Sequence, residues 1–152
     1  MKTNKVVVKR IKESITQVEY KKLQNTIRGD ETIRPNTKTN LLRAFTILYF
    51  TGLRLNEVQQ LELKNIQELL TVGTTKLILT KTKSERKLFA GVEFQKQLKK
   101  LFILDLSEKL QSKVIRKGSN PKEGINHLVF IAQVNQKMKE ILGSGYTSHS
   151  FR

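Results

Sequence analysis

Hydrophobic residues recur with helical spacing along much of this chain, and a stretch of different texture interrupts them. Val18, Leu23 and Ile27 keep an approximate helical spacing that begins near Thr16 and ends at Gly29, predicting a first helix. Residues 28–38 (RGDETIRPNTK) are polar around Pro35 and predict a loop. Residues 41–50, LLRAFTILYF, are apolar nearly all round. That pattern predicts a central helix buried on every side, with Thr39 or Asn40 as cap and Gly52 as stop. Another helix is expected next, capped by Asn56 and turning Val58 and Leu61 inward.

At residue 71 the texture changes. Thr74–Thr80 (TTKLILT) and Arg86–Ala90 (RKLFA) are short, β-prone runs either side of the polar stretch Lys81–Glu85, which predicts a β-hairpin with an exposed cationic tip. Helical spacing returns over about Glu93–Leu104 through Leu98, Leu101 and Phe102. Residues 105–115 show no clear register, and KGSNPKEG (117–124) is a loop by its Gly and Pro content. Val134, Met138, Ile141 and Leu142 form the apolar stripe of a last full helix, closed by Gly143 and Gly145. Thr147 or Ser148 can cap a further helix opening at His149. The expected fold is mainly α with a small antiparallel β-sheet, an α+β arrangement.

Composition narrows the partners. The chain has 152 residues, enough for one domain, and a net charge of +16 from 29 Lys+Arg against 13 Asp+Glu. Such an excess, spread along the whole chain, favours polyanions, and nucleic acid first among them. The bland alternative is a Lys-, Asn- and Ile-rich composition without a binding role. There is no cysteine, hence neither a disulfide frame nor a thiolate metal site. His127 and His149 are too far apart in sequence for a local metal motif, and His127, after Asn126 at a loop end, is read as structural. The N-terminal MKTNKVVVKRIK has too short an apolar run for a signal peptide, and no segment approaches a membrane span. A soluble protein is expected, cytoplasmic and nucleoid-associated, or in an organelle if organelle-encoded.

Four basic groups and one acid carry candidate chemistry. Arg54 follows Gly52 in the turn between two helices, and Glu57 lies three residues on. Lys81 opens the hairpin tip, with Lys83 beside it. His149 and Arg152 share a face if helical. The set suits phosphodiester cleavage, whose transition state gathers charge on the non-bridging oxygens. Two guanidiniums can clamp those oxygens while keeping their protons. An imidazole can exchange a proton with a hydroxyl near neutral pH. A lysine with a depressed pKa can protonate the leaving 5′-oxygen. Positive charge from side chains removes the need for a metal or other cofactor, consistent with the lack of a carboxylate cluster. Each element alone is weak: His-x-x-Arg arises by chance, a lysine in a turn is usually only solvated, Arg54 can be a solvated cation after a helix stop, and Glu57 can be a first-turn acid favoured by the helix dipole.

Together and in order, these segments resemble a known family. Thr51-Gly52-Leu53-Arg54-Leu55-Asn56-Glu57-Val58, with Leu61 following, resembles the first signature box of the tyrosine recombinases, the phage-integrase family. Leu77–Arg86 resembles that family's hairpin with its lysine, and Ser148-His149-Ser150-Phe151-Arg152 resembles the opening of its second box, H-x-x-R. The resemblance covers about residues 15–152, leaving 1–14 as a basic arm or linker. It implies a partial recombinase catalytic domain that binds double-stranded DNA without a cofactor and forms homo-oligomers on DNA when full length. Arg54 and Arg152 would hold the scissile phosphate, Lys81 would be general acid, and His149 would assist proton transfer. Glu57 would orient the active-site arginine, and Lys83 and Arg86 would contact DNA. Thr80 and Thr82 stand where the family often has glycine, so Lys83 competes for the lysine role. The family's nucleophilic tyrosine lies some tens of residues beyond H-x-x-R. Tyr20, Tyr49 and Tyr146 all precede it. The chain is therefore expected to be a catalytic-domain fragment incomplete at its C-terminus, inactive alone. The alternative expectation is a non-catalytic, basic DNA-binding remnant of a recombinase; a third is an RNA-binding protein explained by charge alone.

Overall fold

The computed structural model describes residues 14–80, 82–102, 111–118 and 123–151. All but the last residue of the expected N-terminal arm lies outside them. So do residues 103–104 of the helix expected over about Glu93–Leu104 and residues 119–122 of the loop after it. The described residues form six α-helices, one antiparallel pair of strands and a 3-10 turn, which is the expected mainly α arrangement. None of these helices is long and apolar enough to cross a membrane.

Helix α1 (Gln17–Gly29) starts where Glu19 reaches back to its cap, accepting from the Thr16 N–H at 2.8 Å and from the Thr16 hydroxyl. Those two donors hold the Glu19 carboxyl below its ordinary value. Its inner face is Tyr20, Leu23, Gln24 and Ile27, while Val18, expected to face inward, is 72% exposed. Val18 is five residues from Leu23, a rotation of about 140° at 3.6 residues per turn, and so falls off the stripe.

Helix α2 (Pro35–Thr51) begins earlier than the sequence suggested, because Pro35 starts the helix instead of marking a loop. Proline has no N–H to satisfy and a φ suited to the first helical position. Asn40 is consequently not a cap. It is 1% exposed and exchanges two hydrogen bonds with the Arg116 backbone, donating at 2.8 Å and accepting at 3.0 Å. Residues Asn40 to Leu48 of α2 are all buried, as the apolar run required, and α2 packs against α1, the short helix after it, α5 and the 3-10 turn. Even Arg43 is 2% exposed. Its guanidinium donates to the Val114 and Leu101 carbonyls at 3.0 and 3.3 Å and stacks 4.1 Å over the Phe102 ring.

The single helix expected after Arg54 is two: α3 (Leu55–Val58), capped by Arg54 and not Asn56, and α4 (Leu63–Thr71). The break has a tertiary cause. Leu61 and Leu63 pair with the segment 112–114, Leu63 N–H donating to Ser112 O at 2.9 Å and Val114 N–H to Leu61 O at 3.1 Å. Backbone groups engaged there cannot also serve a helix. Glu62 caps α4, and Asn65, in its first turn, completes the capping box by accepting from Glu62 N–H at 3.0 Å. The Asn65 amide donates to Thr75 Oγ1 at 3.0 Å and Lys76 O at 3.2 Å, planting the first strand against α4.

Strands β1 (Thr74–Ile78) and β2 (Glu85–Phe89) pair antiparallel, Leu77 opposite Arg86 and Thr75 opposite Leu88. Helix α5 (Val92–Phe102) buries Phe94, Leu98 and Phe102. Helix α6 (His127–Leu142) is capped by Asn126, whose side chain accepts from Leu128 and Val129 N–H, and buries Phe130, Val134 and Met138. Ile141 and Leu142 are only half-buried at its end. The 3-10 turn Ser148–Phe151 follows.

Candidate phosphate-binding site

The turn carrying Arg54 is built by one left-handed residue. Gly52, at φ 69° and ψ 17°, ends α2 and returns its N–H to Leu48 O. The Thr51 hydroxyl donates to Ile47 O at 2.6 Å and accepts from Leu53 N–H at 3.2 Å, which fixes the turn on both sides. Leu53 and Leu55 are buried, so the Arg54 side chain between them stands in solvent. Glu57, only 4% exposed, spans the turn. One carboxylate oxygen accepts from Arg54 N–H at 2.9 Å, and the other faces the Arg86 guanidinium at 3.7 Å. Glu57 thus holds the backbone of Arg54 and the side chain of Arg86. The i, i+3 spacing gave the first contact; nothing local gave the second, because Arg86 arrives on β2.

The hairpin loop closes with Leu79 N–H to Ser84 O at 2.9 Å and Lys83 N–H to Leu79 O at 2.7 Å. Lys83 is exposed and sits at φ 57°, a left-handed conformation unusual for a side-chain-bearing residue. Arg54, Asn56, Glu57, Gln60, Leu79, Thr82, Ser84 and Arg86 line a cleft of about 330 Å³ between this loop and the Arg54 turn. Gln60 bridges it, accepting from Thr80 N–H at 3.0 Å.

The 148–151 turn reaches the same end of α2. Thr147 caps it, accepting from His149 N–H at 3.3 Å, and Ser148 N–H donates to Asn135 on α6 at 2.9 Å. The Phe151 ring lies on Phe45 with centroids 5.9 Å apart. A Cβ on Gly52 would sit 3.8 Å from the Phe151 carbonyl, so the turn carrying Arg54 and the turn carrying His149 are neighbours. Ser148 and Ser150 are buried, leaving His149 outward.

Of the expected site residues, Arg54, Glu57 and Arg86 line one cleft, with Lys83 in the loop above it and His149 on the adjoining turn. Lys81 and Arg152 lie outside the described residues. His127, read as structural, pairs through Nδ1 with Gln59 Oε1 at 2.6 Å. Sequence reasoning missed Gln59 and Gln60, which fill unspecified positions between Val58 and Leu61 of the first box and gain their roles only from what folds back onto them. Among the described residues no three His, Asp or Glu side chains group as metal ligands. The arrangement offers an exposed guanidinium beside a fixed cationic hairpin, a surface suited to a phosphodiester oxyanion.

No protein-family model and no curated protein matches the sequence. Solved structures do resemble the fold. The XerA recombinase superimposes with a TM-score of 0.62 at 18% identity, over 91% of this chain and 45% of its own. The XerH site-specific recombinase bound to palindromic difH substrate, in a post-cleavage complex, gives 0.60 at 18% identity, over 93% of this chain and 40% of its own. A pre-cleavage XerH complex gives 0.60 at 18%, over 93% and 41%. The chain thus has the fold of the tyrosine recombinase catalytic domain and spans less than half the length of these proteins.

Proposed function

We propose that this chain is part of a DNA strand-exchange recombinase and holds the scissile phosphate of duplex DNA. One observation carries the reading: segments far apart in sequence, the Arg54 turn, the 79–84 loop and the His149 turn, meet at one end of α2. In the reaction, a tyrosine hydroxyl attacks phosphorus and the 5′-oxygen leaves. Arg54 stabilises the charge on the non-bridging oxygens, joined by Arg152. Lys81 gives its proton to the leaving 5′-oxygen, and His149 exchanges a proton with a hydroxyl at the phosphate. Glu57 holds the Arg54 backbone and so aims its guanidinium. The net charge of +16 draws the duplex in. In this reading the attacking hydroxyl comes from a tyrosine beyond the second box, a position that Tyr20, Tyr49 and Tyr146 do not match.

Duplex binding tests the reading. Affinity is expected to fall steeply with salt, and Arg54→Ala to weaken it about tenfold and reduce the salt slope by about one, as removal of one phosphate contact should. On a nicked suicide duplex, residues 1–152 alone are expected to form no covalent adduct. An affinity indifferent to salt and to Arg54→Ala would overturn the phosphate site. An adduct abolished by Tyr146→Phe would put the nucleophile within this chain.

A further inference from the structure

The hairpin loop is fastened to the Arg54 turn by Gln60, a position the first signature box leaves unspecified between Val58 and Leu61. Within the loop, Leu79 N–H and Lys83 N–H find partners in the Ser84 and Leu79 carbonyls. Thr80 N–H instead donates to Gln60 Oε1 at 3.0 Å. The same amide donates through Nε2 to Asn56 O at 3.2 Å, within the helix that opens at Arg54. The two bonds fix the amide's orientation. A flipped amide would point two donors at each other at Thr80 and two acceptors at each other at Asn56. On the far side of the loop, β2 returns Arg86 to Glu57. That ion pair, at 3.7 Å with Arg86 38% exposed, is a weak tether. Gln60 therefore bears most of the attachment at the loop's leading end.

We propose that Gln60 is a positioning residue. By holding Thr80 N–H it fixes the leading end of the hairpin loop relative to the Arg54 turn. The inference deepens the proposed function and rests on it for the role of Lys81; the latch itself rests only on the two hydrogen bonds. Gln60 acts through Thr80 and donates no proton to substrate. Its neighbour Gln59 faces the other way, its Nε2 donating to Ile125 O at 3.0 Å, and so serves as control.

The experiment uses the full chain and the variants Gln60→Ala, Gln60→Glu, Gln59→Ala, Lys81→Ala and Gln60→Ala/Lys81→Ala. Amide exchange at Thr80 is expected to quicken at least about tenfold in Gln60→Ala. It should stay slow in Gln59→Ala, whereas Gln60→Glu, which keeps an acceptor for Thr80 N–H but sets a carboxylate oxygen against Asn56 O, should fall between wild type and Gln60→Ala. Exchange at Leu88 and Val134 should be unchanged in all, which separates a freed loop from a destabilised fold. In duplex binding, Gln60→Ala is expected to cost about threefold or more with Lys81 present and nothing further once Lys81 is alanine. Unchanged Thr80 exchange in Gln60→Ala overturns the latch, and additive binding losses overturn its action through Lys81. If Lys81→Ala binds duplex as tightly as wild type, the phosphate role assigned to Lys81 fails, and Thr80 exchange alone decides the latch.

Discussion

Asn65 joins the hairpin to the helical body, and removing it measures how much that joint is worth. The residue is 5% exposed and makes three hydrogen bonds: one accepted from Glu62 N–H at 3.0 Å, and two donated, to Thr75 Oγ1 at 3.0 Å and Lys76 O at 3.2 Å. The Thr75 hydroxyl, in a residue 3% exposed, donates in turn to Glu68 Oε1 at 2.5 Å. In Asn65→Ala the lost capping-box bond costs about 1 kcal/mol. Loss of the two donated bonds, with Lys76 O deprived of this donor, adds about 1–3 kcal/mol. The expected total is about 2–4 kcal/mol. Thr75→Val keeps shape but loses the hydroxyl, for about 1–2 kcal/mol. The double variant should cost less than the sum by about 0.5–1 kcal/mol, because once Asn65 is gone the Thr75 hydroxyl has already lost one partner. Urea unfolding of the four proteins, followed by far-UV circular dichroism, gives all the terms. A cost under about 1 kcal/mol for Asn65→Ala, or additivity within about 0.3 kcal/mol, would refute the network.

Burial raises the Tyr20 phenol above its ordinary value, against the opposing hydrogen bond with Thr46. The native state then holds the proton more tightly than the unfolded chain. Stability is fully present below the unfolded pKa of about 10 and is lost as pH rises beyond it. Urea midpoints measured at pH 9 and 11 should show a larger alkaline loss in wild type than in Tyr20→Phe; equal losses would exclude the effect. Lys83 bears its left-handed φ of 57° at the loop's end. Lys83→Val should destabilise by about 1–2 kcal/mol and Lys83→Asn should be near neutral in thermal unfolding, since Asn tolerates that conformation and a β-branched residue does not.

Much of the fold was legible because it is local. The run Leu41–Phe50 can be satisfied only by burial on nearly all sides, and α2 is the buried centre. Two short β-prone runs around a polar interruption over 74–90 gave the hairpin, and the Val134, Met138 stripe gave α6. Gly52 as helix stop put Arg54 in a turn. What failed also failed for a stated cause. The chain around Leu61 leaves the helix to pair with residues 112–114, a contact no local period encodes. Asn40 looked like a cap and became a buried partner of the Arg116 backbone. Arg43 interrupts an apolar face by composition, yet is buried because Val114 O, Leu101 O and the Phe102 ring receive it.

The sequence by itself determined the periodicities, the charge, and the turn that turns Arg54 outward between two buried leucines, since each depends on residues within a helical turn or two of one another. Tertiary structure alone decided that Glu57 holds Arg86, that Gln60 holds Thr80, and that the Phe151 carbonyl lies against Gly52. Those contacts join residues whose separation along the chain carries no signal, and their geometry exists only once elements distant in sequence have packed around α2.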